Sequence, residues 1–429
     1  MKTKSFVLRR DTYSKIIHLC DEETIAVVRP EKYAETLFRD LIAAVIRKKQ
    51  PGHNESQVIR DYFYSFSNDL DYRKKVSDSL DSILTYLNAG VSVYVKDLAI
   101  EDYILDKCAY LCAEAVGMGS TGSVVLNGNE LVICKNDSLN PVFDWDLSKK
   151  AITEKCGKLK KVIVSGGYGR LDSGYVVRIG KGGANMLASL IASALKTECV
   201  EFYVEGRGIE GINSMTYDEA AHYCASSSAP FSSEAIWPAK NAGIPIIVKS
   251  IDDFSFQGTI ISNIDNKEDC SGLISGVLAD KDLDLITIYG TGLLGQVGIT
   301  SSIMSCVAKG GVNIRFISQT SSEYSISIAV RAEDSSKVTS ALRELSKENP
   351  LIPLDDVMFL NRSVGIVTVY GSRIKNVCGV SGKVFSILGE NGINVIASAQ
   401  GGEELSISIV VDNKDVDKSI ELFKSLLNN

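Results

Sequence analysis

The last third of the chain repeats itself. Thr287-Ile288-Tyr289-Gly290 returns as Thr368-Val369-Tyr370-Gly371, an offset of 81 (370 − 289). Without a gap, the same offset carries Gly298 to Gly379, Gly311 to Gly392, Asn313 to Asn394 and Gln319 to Gln400. It also carries Ser325-Ile326-Ser327-Ile328 to Ser406-Ile407-Ser408-Ile409. Chance does not hold a register over that length, so this stretch contains two copies of one folding unit. Each copy reads as a strand, a glycine-bearing loop, an amphipathic helix, a Gly-x-Asn turn and two strands joined by a polar turn. A second helix closes each copy, 336–347 and then 416–427. The plan is βαββαβ, ferredoxin-like. Two copies make a duplicated domain and not a solenoid, which needs more.

Before the repeat the pattern is strand, glycine turn and helix in alternation, which argues for an α/β sheet with helices on its faces. Strands are expected at 5–8, 24–28 and 91–95, with helices at 31–49, 69–87 and 102–116. From residue 160 the signal sharpens. Lys161-Val162-Ile163-Val164 is a buried strand running into Ser165-Gly166-Gly167-Tyr168-Gly169, and a short hairpin follows. Val176–Ile179 then runs into Gly180-Lys181-Gly182-Gly183, with a helix expected over 185–195. Further strands are expected at 200–204 and 244–248, and a helix at 217–225 between them. Three units follow: 1–270, 271–350 and 351–429.

Composition narrows what such a chain does. The net charge is −7, so no basic face is available for a phosphate backbone, and nucleic acid is an unexpected partner. No apolar run reaches the roughly 20 residues that span a bilayer, and the charged start, Met1 to Arg10, is not a signal peptide. A soluble, cytoplasmic protein is expected. The ten cysteines form no paired CxxC sets, which favours buried thiols over a metal or disulfide framework, and three histidines make a histidine-rich metal site improbable.

The repeated unit resembles the ACT domain, a small amino-acid-sensing module, over 310–330 and 391–411. The resemblance implies an effector site in the first copy. The loop ending at Gly298 and Ile299 would offer backbone N–H groups at a helix N-terminus to a carboxylate. Asn313 would offer its amide and backbone, and Gln319 and Ser327 would sit on neighbouring strands facing the same interface. The same glycines and asparagines also suit tight, capped turns. In the second copy Arg373-Ile374-Lys375-Asn376 replaces Gly292-Leu293-Leu294-Gly295, which makes a ligand there less expected.

An α/β region followed by two such units resembles aspartokinase, of the amino-acid kinase family. The segments 162–183, 215–250 and 256–262 carry that resemblance, which is good from about residue 100 onward and poor before it. It implies an amino-acid kinase-like sandwich followed by two ferredoxin-like ACT domains, which interleave in sequence in such enzymes. It also implies a homodimer, because exposed sheet edges pair, and a small amino-acid effector, lysine or threonine. Gly166, Gly167, Gly180, Gly182 and Gly183 would be the nucleotide-side glycines. Arg9, Lys181 and Asn185 would be the remaining catalytic candidates, with Mg-ATP as cofactor if the kinase reading holds.

The departures from the family pattern are specific. Its opening strand ends in Lys-Phe-Gly-Gly-Thr-Ser, whereas here Ser5-Phe6-Val7-Leu8 leads into Arg9-Arg10-Asp11. Bulky side chains stand where bare backbone amides would approach phosphate. Its Gly-Arg-Gly-Gly-Ser-Asp is Gly180-Lys181-Gly182-Gly183-Ala184-Asn185, so the hydroxyl and the carboxylate are gone. Its Thr-Asp-Val-Asp-Gly becomes Val204-Glu205-Gly206-Arg207-Gly208, and its Glu-Arg-Leu-Ser becomes Asp106-Lys107-Cys108-Ala109. Phosphoryl transfer is nearly all positioning and electrostatics, and one such contact is worth on the order of 10²–10³ in rate. The sequence therefore implies an eroded phosphotransfer site, with a diverged working kinase as the alternative.

Overall fold

The computed structural model describes every residue except 21–22, 48–51, 89–96, 136–140, 181, 207–208, 210–211, 225–228, 254, 264–272, 290–296, 322–324, 349–361, 372 and 428–429. The expected strand at 91–95, Lys181, Arg207-Gly208 and the loop 292–295 lie outside the described residues. The chain divides into two compact units, 1–265 and 266–429.

In the first unit the strands are β1 (Lys2–Leu8), β2 (Thr24–Pro30), β3 (Val124–Leu126), β4 (Ile133–Lys135), β5 (Val142–Phe143), β6 (Val162–Ser165), β7 (Tyr168–Leu171), β8 (Val176–Arg178), β9 (Val200–Val204), β10 (Ser214–Thr216), β11 (Ile246–Ser250) and β12 (Thr259–Ser262). Eight form one sheet in the order β10-β12-β11-β9-β1-β2-β6-β3. Every neighbouring pair from β11 to β3 is parallel, and β12 runs antiparallel to β11. A smaller sheet has the order β5-β4-β7-β8.

A parallel sheet is covered on both faces, so its strands are apolar almost continuously. β2 shows why. Ala26 and Val28 belong to one core, shared with the helices Lys32–Ile42, His53–Tyr64, Leu70–Asn88 and Asp97–Gly119. Ile25 and Val27, one residue out of phase, belong to the other, shared with Trp145–Cys156, Gly183–Leu195 and Ser233–Ala242. The helix expected to run on from residue 31 ends at Ile42 and widens into a π-helical turn over Ala43–Arg47. There Gly52 comes back over the helix: a Cβ on it would lie 2.6 Å from Val45 Cγ2 and 2.8 Å from Leu41 Cδ1.

The second unit has β13 (Gly276–Tyr289), β14 (Phe316–Gln319), β15 (Ser325–Arg331), β16 (Arg362–Tyr370), β17 (Ala397–Gln400) and β18 (Ser406–Asp412). They form one antiparallel sheet, β14-β15-β13-β16-β18-β17. Each copy contributes βαββα, and the closing strand of the expected plan is not a separate element among the described residues. Its place is taken by the other copy. Gly276–Asp280 pairs with 366–370 of the second copy, whereas Leu283–Tyr289 pairs with β15 of the first. The register shifts between Asp280 and Leu283, where Asp282 has a φ of 57°.

The helices cover one face of this sheet, over separate cores for the two copies. On the other face, Leu283, Leu285, Phe316, Ala329, Val364, Ile366 and Val410 form a single cluster drawn from both copies. The edge strands β14 and β17 approach one another, so the sheet curls around that cluster. Among the described residues no helix is long and apolar enough to cross a membrane.

Candidate functional site

The parallel strands of the first sheet end together, and ligands of open α/β sheets bind outside the carboxyl ends of such strands. A cavity of about 480 Å³ lies there. Arg29 and Pro30 from the end of β2, Gly166 and Gly167 after β6, and Tyr168 of β7 line it. Arg178, Gly180 and the start of the helix Gly183–Leu195 complete it, with Glu35 and Pro230.

The glycines have distinct physical reasons. Gly166 donates its N–H to the Val28 carbonyl at 2.8 Å, and a Cβ on it would meet Ala184 Cβ at 2.7 Å and Val27 Cγ1 at 2.8 Å. Its bareness lets the helix start close against the sheet. Gly183 is equally confined, 2.5 Å from Ile179 Cγ1. Gly167, Gly180 and Gly182 have φ values of 106°, 84° and 79°, a region that other residues enter at a cost of about 1–2 kcal/mol. A Cβ on Gly167 or Gly180 would meet nothing within 4 Å. Their backbone faces open space. Gly182 caps the helix, and the first i to i−4 bond runs from Met186 N–H to the Gly182 carbonyl at 3.0 Å. The amides of Gly183, Ala184 and Asn185 therefore precede the helical ladder, at the positive end of the helix.

Asn185 lines the cavity and accepts a hydrogen bond from Ser5 Oγ at 2.6 Å, which ties the helix to β1. Arg9 is not among the residues lining the cavity. Its guanidinium is held by Asp11 at 2.6 Å and Asp252 at 2.7 Å, and these carboxylates drive its pKa up. Arg10 lies over the Tyr62 ring, 4.7 Å from its centroid. The five predicted glycines and Asn185 thus come together, and Arg9 stands apart.

Sequence reasoning missed the cavity's charged groups. Arg178 donates its backbone N–H to Asp102 at 3.0 Å, and its guanidinium lies 3.5 Å from both Glu101 and Asp102. Glu35 is paired with Arg39 at 3.3 Å. Arg29 is different: desolvation lowers its pKa, against the weaker opposing fields of Glu205 and Glu35. The signal for it was present, an arginine directly ending the apolar run Ile25–Val28 and followed by Pro30.

Behind the cavity, Asp106 is 1% exposed. Its Oδ2 accepts from Asn129 at 2.7 Å and Asn127 at 3.3 Å, while Oδ1 has no partner. Burial pushes its pKa up to about 6. Asn127 in turn accepts from Ser165 Oγ at 2.9 Å, just before the Gly166-Gly167 loop. Among the described residues no group of three His, Cys, Asp or Glu side chains is placed to hold a metal.

In the second unit Gly298 has a φ of 92° and caps the helix Ile299–Lys309, whose first residue Ile299 is buried. Asn313 and Gln319 are exposed. Ser327 is half-buried, its hydroxyl 3.0 Å from that of Thr287, and Thr368 and Ser408 repeat the pair at 2.9 Å. The expectation that Gln319 and Ser327 face the same interface is not met. In the register Ser318 stands opposite Ser327, and Gln319 opposite Ile326, whose side chain belongs to the helix-side core. Alternation therefore puts Gln319 and Ser327 on opposite faces.

A parallel α/β sheet with a glycine-rich cavity, followed by two interlocked ferredoxin-like repeats, gives an amino-acid kinase fold joined to a pair of small ferredoxin-like modules. The ACT domain family matches residues 286–345 and 367–425, so the repeats are two ACT domains. Aspartokinase 2 of Bacillus subtilis is 23% identical over 394 residues, 88% of this chain and 90% of that protein. A bifunctional aspartokinase/homoserine dehydrogenase of Haemophilus influenzae is 26% identical over 299 residues, 66% of this chain and 36% of that one. The chain spans about a third of the length of such bifunctional relatives. Among solved structures, the aspartate kinase of Clostridium acetobutylicum superposes with a TM-score of 0.80 at 20% identity over 100% of both chains. Aspartokinase III of E. coli in complex with lysine and aspartate gives 0.78 at 16% identity, over 99% of both. The chain is thus similar to aspartokinases along most of its length, and its two repeats match the ACT domain family.

Proposed function

We propose that this chain is a regulatory, non-phosphorylating relative of aspartokinase in aspartate-family amino-acid metabolism. It binds an amino acid, lysine or threonine, at its ACT pair and acts as a cytoplasmic homodimer. The observation that carries this reading is the end of β1. Arg9 is tied to Asp11 and Asp252, and Arg10 is stacked on Tyr62, so neither supplies the cavity with the lysine and bare amides of the family pattern. An eroded site of this kind supports a sensing role over a catalytic one.

The test uses the full chain. Lysine and threonine are each titrated in thermal unfolding, and aspartyl hydroxamate formation is assayed with Mg-ATP and L-aspartate. The expected result is a rise in melting temperature with one of the two amino acids and no hydroxamate. Hydroxamate formation above an enzyme-free control overturns the proposal. It would support the second reading, a diverged kinase that phosphorylates the side-chain carboxylate of aspartate or a relative. The observation favouring that reading is the glycine cavity at the carboxyl ends of β2 and β6.

A further inference from the structure

A short chain of hydrogen bonds joins the buried Asp106 to the loop that lines the cavity. Asp106 Oδ2 accepts from the Asn129 amide at 2.7 Å and from the Asn127 amide at a looser 3.3 Å. The other end of the Asn127 amide, its Oδ1, accepts from Ser165 Oγ at 2.9 Å and from the Asn129 N–H at 3.3 Å. Ser165 ends β6, and its hydroxyl also receives the Gly128 N–H at 2.9 Å. The turn has no slack against that strand, because a Cβ on Gly128 would collide with the Ser165 carbonyl oxygen. Gly166 and Gly167 come next in the chain and line the cavity.

Asp106 Oδ1 is the unsatisfied member. It has no hydrogen-bond partner among the described residues, in a side chain that is 1% exposed. With a proton on Oδ1, the carboxyl keeps Oδ2 as an acceptor for both amides. Loss of that proton leaves a buried anionic oxygen bare, which is a costly state. Neighbouring charges do not supply the missing donor. Lys107, on the same helix, lies over the Tyr103 ring, and Glu130, on the turn, repels the anion and is paired with Lys155. Asp102, one helical turn earlier, is taken up by the Arg178 N–H. Of the two amides already present, Asn127 holds Oδ2 less tightly and is the one placed to turn to Oδ1. An amide moves as a unit, so its own oxygen then leaves Ser165.

We infer that Asp106, Asn127 and Ser165 form a proton-driven switch on the cavity's glycine loop. The Oδ1–H bond of Asp106 breaks and its proton passes to solvent. Asn127 Nδ2–H then bonds to Oδ1, and the bond from Ser165 Oγ to Asn127 is lost. Ser165 turns to another acceptor, and Gly166-Gly167, with no residue between, shift with it. Burial favours the neutral acid against the pull of Asn127 and Lys107, and places the change at about pH 6. The switch goes beyond the regulatory reading and needs no ligand, so the two fail separately.

The experiment follows the amide signals of isotope-labelled glycine by NMR in the full chain, from about pH 4.5 to about pH 7.5, a range that brackets the transition. Gly128, Gly166 and Gly167 should move together in a one-proton transition with a midpoint of about 6, while Gly311 and Gly392 of the second unit stay in place. Asp106→Asn should abolish the transition at all three. Ser165→Ala, or Asn127→Ser if that variant does not fold, cuts the link but leaves the acid. Gly128 should then still titrate, and Gly166 and Gly167 should not. Flat Gly166 and Gly167 signals in the natural protein overturn the inference. A transition that survives in Asp106→Asn also overturns it and points to Asp102. Survival at Gly166 and Gly167 in the link-cutting variant overturns it too, because the effect would then be a field acting through space.

Discussion

Asp106 shows how one residue's chemistry is decided by neighbours far away in sequence. The charges of Asp106-Lys107 were legible, and so was their place on a helix. The surroundings were not: Asn127 and Asn129 reach Asp106 from a separate segment, and Lys107 turns away over the Tyr103 ring, 5.3 Å from its centroid. The result is a buried carboxyl whose pKa is pushed up to about 6, above the roughly 3.9 of an unfolded chain. The sign follows from proton linkage. The folded state holds this proton more tightly, so its contribution to stability is full below about pH 4 and is lost as pH rises through about 6. Asp106→Asn keeps an oxygen acceptor for both amides and removes the charge. It should stabilise the protein by on the order of 1–3 kcal/mol at pH 7.5, with the gain shrinking toward pH 4. Urea unfolding of both proteins at pH 7.5 and pH 4.5 checks this, and equal gains at the two pH values would contradict it.

At the level of elements, the duplication was legible because identical turns recur in a fixed register. The sharing of β13 was not. Read alone, Leu273–Ala279 looks like an apolar lead-in to the first repeat, yet Ile274 packs in the core of the second. Its partner strand β16 is distant in the chain, and only the pairing of Gly276 with Tyr370 reveals the exchange. The contact is tight: a Cβ on Gly276 would lie 2.2 Å from Tyr370 Oη and 2.4 Å from its Cζ, and Tyr370 is 1% exposed. The ring fills the room that glycine leaves. Gly276→Ala must displace that ring, and overpacking of this kind costs about 1–3 kcal/mol. Because β13 serves both copies, the loss should appear as one cooperative shift of the ACT pair in thermal unfolding followed by tyrosine fluorescence. A variant that melts with the natural protein would show that Tyr370 has another place to go. Asp282 and Asn413 hold the bulge beside it, donating to one another at 3.1 and 2.9 Å, so the switch of partners within β13 is itself pinned.

For the whole molecule, a sensor needs more than two binding sites on one chain. Under the proposed function, an amino acid bound at the ACT pair must change what the first unit holds, and thermodynamic linkage makes that change reciprocal. If lysine or threonine alters the affinity for a ligand of the glycine-lined cavity by some factor, that ligand must alter the affinity for the amino acid by the same factor. Coupling energies between such sites are commonly about 1–3 kcal/mol, or roughly 5- to 150-fold in affinity. The expectation is a factor in that range, measured as four dissociation constants: the cavity ligand, probed with Mg-ADP, with and without saturating amino acid, and the amino acid with and without saturating Mg-ADP. A closed cycle with a factor well above or below one is what a regulatory chain requires. A factor of one, with both ligands bound, would leave two independent binding units, and the regulatory reading would then need a partner protein to receive the signal. That factor follows from differential contacts in two states of the chain, which calorimetry reads directly.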